Sequence, residues 1–295
     1  MEVDFMQEGN KVVLFDFGNL SEASGKVLCR FMDMLEHAAG YIAWPKVARD
    51  AKYKAEAEII EEIANRTDLD PVIRLATISN LKKSVKEYKN QTKIIQDAVP
   101  FLKENAKPEE MDMDWLSLFM DKARLVSDEE LQLIWSEILA QEANTPRSVS
   151  KRLLYILMQM SKKDADRFKR LANLCIDIYE EGEINRIVPV IANFDDDLKR
   201  IAEITFEDIC ALENYGLVKF SELKNSVFTS DKPMIVKYGD KEIMNVGVGK
   251  KIMAGSVFYT EAGEELLRIC ERFCSDDIYN YICDSLKLLK NLLCD

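Results

Sequence analysis

Across residues 112–174 the apolar positions return every three or four residues, and each run closes on a recognisable stop. Trp115, Leu118 and Phe119 mark a first helix, which gives way at Val126 and Ser127. Ser127 with Glu130 reads as a capping box: the hydroxyl accepts from an amide of the first turn and the carboxylate reaches back. Leu131, Ile134, Trp135, Ile138 and Leu139 then share one helix face. Asn144-Thr145-Pro146 ends that helix, because a proline bars its predecessor from helical backbone angles. Ser148 or Ser150 caps a third helix, with Leu153, Leu154, Ile156, Leu157 and Met160 as its apolar face. Ser161 with Asp164 opens a fourth, expected to run to about Tyr179 and to stop at Gly182, a residue suited to the left-handed position after a helix.

Upstream the pattern predicts longer helices. Residues 1–18 hold one apolar run, at 11–17, and read as a short strand or ordered tail. Val27, Leu28, Phe31, Met34, Leu35 and Ala38 share the face of a helix reaching about Tyr41, with Ser21 and Ser24 available as caps. Trp44-Pro45 interrupts it. Residues 46–66 are rich in Ala, Lys and Glu, the composition of a long, partly exposed helix. Pro71, after the turn Asp68-Leu69-Asp70, suits the first position of the next helix. That helix is expected over 71–102, with Leu81, Val85, Tyr88, Thr92, Ile95 and Val99 as its apolar stripe. Beside the stripe, Lys82, Lys86, Lys89 and Lys93 recur at helical spacing and line up four ammonium groups.

The last third changes character. Residues 186–193 form a short apolar stretch and 194–197 an acidic turn. Thr205-Phe206-Glu207-Asp208 caps a short helix closed by Gly216, and 217–220 reads as extended. Runs at 234–238, 242–246 and 256–259 are β-like, with Tyr238-Gly239-Asp240-Lys241 as a hairpin turn. Thr260-Glu261-Ala262-Gly263 caps a helix over 264–273, and Ser275 starts a last one. The order helix, Leu-Glu-x-x-Gly-Leu, strands, Thr-x-x-Gly helix is similar to a winged-helix domain.

Charge narrows the functions this pattern supports. A net charge of −12 argues against a chain that coats nucleic acid non-specifically. Over residues 200–268 there are nine Lys or Arg against eleven Asp or Glu, and the helix before Gly216 carries Glu207, Asp208 and Glu213. Carboxylates there repel phosphate, so a protein-contact or structural winged helix is favoured over a DNA reader. The Lys82–Lys93 stripe is the basic feature of the chain. It reads either as a solvated face or as a contact for phosphate or an acidic partner, and it lacks interleaved aromatics for base stacking.

Catalytic patterns are sparse. The seven cysteines read as reduced, structural thiols, and Cys270 with Cys274, one turn apart, finds no histidine to complete a zinc set. His37, the single histidine, reads as a helix-packing residue. Gly247-Val248-Gly249-Lys250 lacks the spacing and following helix of a phosphate loop and reads as a wing tip. Asp195-Asp196-Asp197 reads as a solvated loop. No cofactor, metal or small-molecule substrate is expected, and the chain is expected not to be an enzyme. No secretory leader is expected at the N-terminus, and no window approaches the roughly 20 apolar residues of a membrane span. Association of residues 27–41 with a membrane surface is the weaker reading of that helix; packing in the core is the favoured one.

Several stretches carry a family likeness. The helix ending in Trp44-Pro45, the Ala-Lys-Ala-Glu helix at 51–58, Asn90-Gln91 with Ile94-Ile95, and above all Trp115, Phe119, Ser127-Asp128-Glu129, Gln132, Trp135, Leu139-Ala140, Glu142, Pro146, Ser150, Leu154 and Leu157 resemble a bacterial family of unassigned activity, domain-of-unknown-function family 2806. The same core, with Asp164-Ala165 and Phe168, is similar to the abortive-infection alpha family of anti-phage proteins. Gln141 stands where a small residue often precedes the glutamate, and Arg147 where glycine often follows the proline; both departures touch turn geometry. The resemblance implies a cytoplasmic bacterial protein encoded among defence or mobile-element genes, with no catalytic residues to carry over.

The expectation is therefore a mainly α protein. A long helical region occupies 1–108, a helical core 109–195, and a winged-helix-like α+β module with terminal helices 196–295. Its function is expected to be non-enzymatic interaction with a protein partner or a second copy, as a sensor or effector in anti-phage defence. Nucleic-acid binding through Lys82, Lys86, Lys89 and Lys93, or through the winged helix, is the alternative.

Overall fold

The computed structural model describes the backbone of residues 4–5, 12–13, 22–39, 49–221 and 227–291, and the side chains of 24–38, 57–221 and 227–289. The Ser21 cap, the Trp44-Pro45 break and most of the 11–17 run lie outside the described residues. The chain forms two compact units, Met1–Lys151 and Arg152–Asp295.

Among its described residues unit 1 is helical apart from a short antiparallel pairing of β1 (Asp4–Phe5) with β2 (Val12–Val13). Its helices are α1 (Glu22–Ala39), α2 (Arg49–Asn65), α3 (Pro71–Ala98), α4 (Met113–Ala123) and α5 (Glu129–Asn144). Phe31, Leu35, Ile94, Ile95, Leu116, Phe119, Trp135 and Leu139 are fully buried and form the core. Trp115 stacks on Phe119, which in turn packs against Trp135, both at 5.2 Å between ring centroids. The apolar face of α1 packs against α4 through Val27, Leu28, Phe31 and Leu35, so that face belongs to the core. His37 is exposed rather than packed, its ring Nδ1 2.7 Å from the Asp33 carbonyl of its own helix.

Two helix starts in unit 1 are worth following. Asp70 caps α3, accepting from the Val72 amide, with Pro71 at the first position as expected. At α5 the cap is Asp128, whose carboxylate accepts from the Glu130 and Leu131 amides at 3.1 Å. Ser127, expected to cap, instead accepts from Asn90 Nδ2 at 3.1 Å. The carboxylate wins the cap because its negative charge also suits the positive end of the helix, and the displaced hydroxyl is used to hold α3.

That contact belongs to a buried amide network. Asn90 donates to the Arg124 carbonyl at 2.8 Å, and Gln132 donates to Asn90 Oδ1 at 3.3 Å and to the Val126 carbonyl at 2.8 Å. Together they close the α4–α5 turn over α3. Further along, buried Glu142 accepts from the amides of Arg147 at 2.6 Å and Val149 at 3.0 Å, shaping the turn after Pro146. Arg147 holds φ at 67° there, the left-handed region that glycine favours.

Unit 2 combines α6 (Lys151–Gln159), α7 (Lys162–Asn173), α8 (Asp196–Ala202), α9 (Phe206–Asn214), α10 (Glu261–Leu267) and α11 (Asp276–Asn291) with strands. A four-stranded antiparallel sheet runs in the order β4 (Glu183–Pro189), β3 (Cys175–Glu180), β7 (Met234–Tyr238), β8 (Lys241–Val246). Two antiparallel pairs complete the set, β5 (Val218–Phe220) with β10 (Val257–Tyr259), and β6 (Val227–Thr229) with β9 (Lys251–Met253). The helix expected to continue to Tyr179 stops at Asn173, and residues 175–189 form a hairpin instead. Gly182 does take a positive φ, of 88°, but with Glu181 (φ 52°) it builds the hairpin turn rather than a helix cap. The helix expected over 264–273 is likewise shorter, ending at Leu267. Asp195-Asp196-Asp197 is a helix start, with Asp195 accepting from the Leu198 amide at 2.9 Å.

The Leu-Glu-x-x-Gly-Leu and Thr-x-x-Gly stretches meet in space. Thr260 donates its hydroxyl to the Gly216 carbonyl at 2.6 Å and caps α10 by accepting from the Gly263 amide at 3.2 Å. A Cβ at Gly263 would lie 2.0 Å from the Leu217 carbonyl oxygen, so the close approach requires glycine.

Candidate interaction surface

The helix that carries the four lysines changes environment midway. From Asn90 onward α3 packs on α5 and buries Asn90, Ile94, Ile95 and Ala98. Of the apolar stripe expected from the sequence, Ile95 alone is fully buried; Leu81, Val85, Tyr88, Thr92 and Val99 are half-buried. Before Asn90 the helix pairs with α2 as an antiparallel hairpin, and among the described residues no side chain of 57–89 is fully buried. Ile60 and Ile63 of α2 are half-buried, while Ile59, Val72, Ile73 and Leu75 are open, Val72 at 73% and Leu75 at 69% exposure. Soluble helices normally bury an apolar stripe; this arm leaves much of its apolar surface in water.

Helical geometry of 3.6 residues per turn sets Lys82, Lys89 and Lys93 on the side of α3 away from Ile94 and Ala98, with Lys86 at the edge of that side. Lys82, Lys86 and Lys93 are exposed and Lys89 half-buried. Lys93 is held within its own helix by Asp97, with Nζ 2.6 Å from Oδ2. Glu87, off the stripe, is shared between Lys83 at 3.9 Å and Arg124 at 2.9 Å. Leu75, five turns before Lys93, lies on the lysine side of the helix, and Val72, five turns before Asn90, lies at its edge, so that side runs from apolar at its start to cationic further on.

Three carboxylates buried in unit 2, Asp164, Asp177 and Asp208, are engaged by arginines. Arg167 of α7 donates to Asp164 and to Asp208 of α9, each at 2.7 Å, and Tyr215 donates to Asp164 at 3.0 Å. Capping boxes at Ser161 and Thr205, both legible in the sequence, use the same two carboxylates. Burial pushes both carboxyls up, but the hydroxyl, amide and Arg167 bonds outweigh it and hold them below the usual range. Asp177 behaves oppositely. Arg272 Nη2 sits 2.8 and 2.9 Å from its two oxygens, yet burial dominates and its carboxyl is raised. Burial also pushes the Cys175 thiol up to about 12, beside the Tyr259 hydroxyl at 3.5 Å. A thiol with so high a pKa is a poor nucleophile.

Two of the shallow clefts among the described residues lie in unit 2. One, of about 350 Å³, is lined by Ile178, Arg186, Phe228, Ser230, Lys232 and Met234, with the Arg186 guanidinium 5.5 Å from the Phe228 ring centre. The other, of about 360 Å³, lies between α8 and α11 and is lined by Asp195, Asp197, Arg200, Asp277, Tyr281 and Asp284. Among the described residues no group of three His, Cys, Asp or Glu side chains is placed to hold a metal ion. Cys270 is half-buried and Cys274 exposed. Among the same residues no helix is long and apolar enough to cross a membrane.

Fold and surface thus define a mainly helical protein with a small sheet-containing C-terminal region and an exposed helical arm. A family model described as protein of unknown function (DUF2806) matches residues 76–283, and the chain belongs to that family. The match takes in the lysine stripe and begins within α3, after Val72 and Leu75. No curated protein and no solved structure matches the chain.

Proposed function

We propose that the chain is a non-enzymatic interaction protein of the bacterial cytoplasm that engages its partner through the α2–α3 arm, as a sensor or effector in anti-phage defence. The observation that carries this reading is the arm itself: a helical hairpin with exposed Val72, Ile73 and Leu75 and a lysine stripe turned away from the packed face of α3. Exposed apolar residues rimmed by charge are the mark of a contact surface. The buried carboxylates of unit 2 support the non-enzymatic part, since Asp164, Asp208 and Asp177 are each held by an arginine. The pairing of β5 with β10 between α9 and α10 supports a winged-helix-like module whose α9 face, bearing Glu207 and Glu213, suits a protein better than phosphate. The defence context rests on the likeness of the Trp115–Phe168 motif to the abortive-infection alpha family.

The test is a phage challenge of cells expressing the chain or its Lys82→Glu/Lys86→Glu variant, alongside turnover assays on the purified protein. Protection lost in the variant, at equal expression, is the expected result. Hydrolysis of nucleotides, nucleic acid or peptide bonds by the pure chain would overturn the non-enzymatic reading.

A second reading, nucleic-acid binding, is favoured by the exposure of Lys82 and Lys86 on one side of the helix. It requires salt-sensitive anisotropy changes with a labelled duplex or single strand, abolished by the same two substitutions. A flat titration at low salt excludes it.

A further inference from the structure

We propose that the α2–α3 arm pairs with the arm of a second copy of this chain, antiparallel and related by a two-fold axis. This names the partner of the surface just described and rests on that reading. The ground is the distribution of charge along the arm. Its tip, residues 57–80, carries the carboxylates Glu58, Glu61, Glu62, Asp68 and Asp70 against Arg66 and Arg74. Arg66 and Asp68 neutralise one another at 3.0 Å, which leaves Glu58, Glu61, Glu62 and Asp70 against Arg74. The stem, residues 81–97, carries Lys82, Lys83, Lys86, Lys89 and Lys93 against Glu87 and Asp97, the latter holding Lys93, and remains basic. One arm is therefore acidic at one end and basic at the other.

A surface of that kind is complementary to itself when turned end for end. A two-fold contact brings residue i against j and j against i, so the tip of each arm meets the stem of the other and both charge contacts are favourable. Aligned tip to tip, like charges would face each other. Side-chain chemistry fits the same arrangement. Glu58, Glu61 and Glu62 are all exposed on α2, as are Lys82 and Lys86 on α3. Leu75, on the lysine side of α3, and exposed Val72 at its edge meet the alkyl stems of the partner's lysines, which cover apolar surface while their ammonium groups reach carboxylates. The pairing also supplies what the isolated arm lacks, because a stretch of hairpin with no fully buried side chain over residues 57–89 draws little stability from its own packing. An unrelated partner would need no such segregation; a second copy does.

The experiment is sedimentation equilibrium of the full chain across a salt series, with two charge-reversal variants. One is Lys82→Glu/Lys86→Glu, the other Glu58→Lys/Glu61→Lys/Glu62→Lys. All five positions are exposed, and far-UV circular dichroism verifies that both variants fold. The expected result is a wild-type dimer that weakens with salt, and reversals that each weaken it by roughly tenfold or more. An equimolar mixture of the two should regain a heterodimer, since each then offers the charge the other lost. A wild-type chain that stays monomeric at low salt would overturn the pairing. So would reversals that dimerise like wild type, or a mixture that fails to associate. A monomer that nonetheless binds duplex DNA or a different protein through Lys82 and Lys86 defeats the pairing and leaves the arm as a contact surface. A monomer whose tip is protected from hydrogen exchange points to cover by another segment of the same chain, and also defeats it.

Discussion

Units 1 and 2 each fasten two segments together with a polar side chain, buried Asn90 in one and half-buried Arg167 in the other, and the groups around them differ in charge. Asn90 exchanges hydrogen bonds with Gln132, Ser127 and a backbone carbonyl, all neutral. Arg167 stands between two carboxylates with side-chain exposures of 8% and 12%. A neutral amide network loses little on burial when every donor finds an acceptor, and it titrates nowhere in the accessible range. A buried ion network gives up far more hydration and recovers it only through close pairing. The number of donors decides the balance. Asp164 receives the Ser161 amide and hydroxyl, Arg167 and Tyr215, and stays below its usual range; Asp177 receives one arginine nitrogen and is raised.

The largest break in this comparison is Arg167→Ala. It leaves two buried carboxylates without their cation and should cost about 3–5 kcal/mol. Trp44, Trp115 and Trp135 all belong to residues 1–151, so tryptophan fluorescence follows unit 1 and far-UV circular dichroism follows both units. In urea the dichroism transition of the variant should move ahead of the fluorescence transition. Coincident movement of the two would show that the loss is not confined to unit 2.

Much of this network could be read in the chain. Ser161 with Asp164 and Thr205 with Asp208 announce capping boxes, and the structure has both. Nothing local announces Arg167 between them, because Asp208 lies 41 residues away. The β3–β4 hairpin was hidden for a related reason. Cys175, Ile176, Asp177 and Ile178 are all buried, so the strand shows no alternation of polar and apolar residues, and Asp177 is tolerated inside only through Arg272, 95 residues on. In α3 the lysine spacing was legible, but where the packed face begins was not. That depends on Asn90 meeting the α4–α5 turn, a contact made by tertiary structure. Hence the lysine stripe was visible in the sequence and its setting on an exposed arm was not.

Next in size is Asn90→Ala, which removes the bonds to Arg124 and Ser127 and strips Gln132 of one acceptor. A loss of about 2 kcal/mol is expected, from the groups left unsatisfied and the space vacated. Here the tryptophan signal should shift, and the loss should be the same at pH 4 and pH 7 because no participant titrates. A loss that vanishes in acid would mean that a charged group shares the network.

The unit 2 network must behave differently with pH. The Asp164 and Asp208 carboxyls sit below their ordinary value in the folded state. Their contribution is therefore complete above that value, near pH 4 for a free aspartate, and is lost as pH falls through the depressed folded values. Asp177 and Glu142 have the opposite sign, since burial raises both, so each subtracts stability as pH rises from the ordinary carboxylate range through its raised value. Urea unfolding between pH 2 and 5 should show wild type losing its advantage over Asp164→Asn/Asp208→Asn as pH drops. An advantage that is constant or grows in acid would contradict the assignment.

The smallest expected effect comes from unit 1, at the turn that the buried Glu142 carboxylate closes. Arg147 is exposed and pays for its φ of 67° with the crowding between Cβ and the following carbonyl, about 1–2 kcal/mol for an L-residue. Glycine relieves that crowding but has more conformational freedom to lose on folding, about 0.5–1 kcal/mol. Arg147→Gly should thus stabilise unit 1 by up to about 1 kcal/mol, read as a later tryptophan transition in urea. The gain depends on Glu142 keeping the Arg147 and Val149 amides in place. In a Glu142→Ala background the turn is free to relax, Arg147 can leave the left-handed region, and the benefit of glycine should disappear. If Arg147→Gly stabilises equally in both backgrounds, the strain is set by Pro146 and the chain around it, and the carboxylate only satisfies amides that the turn has already placed.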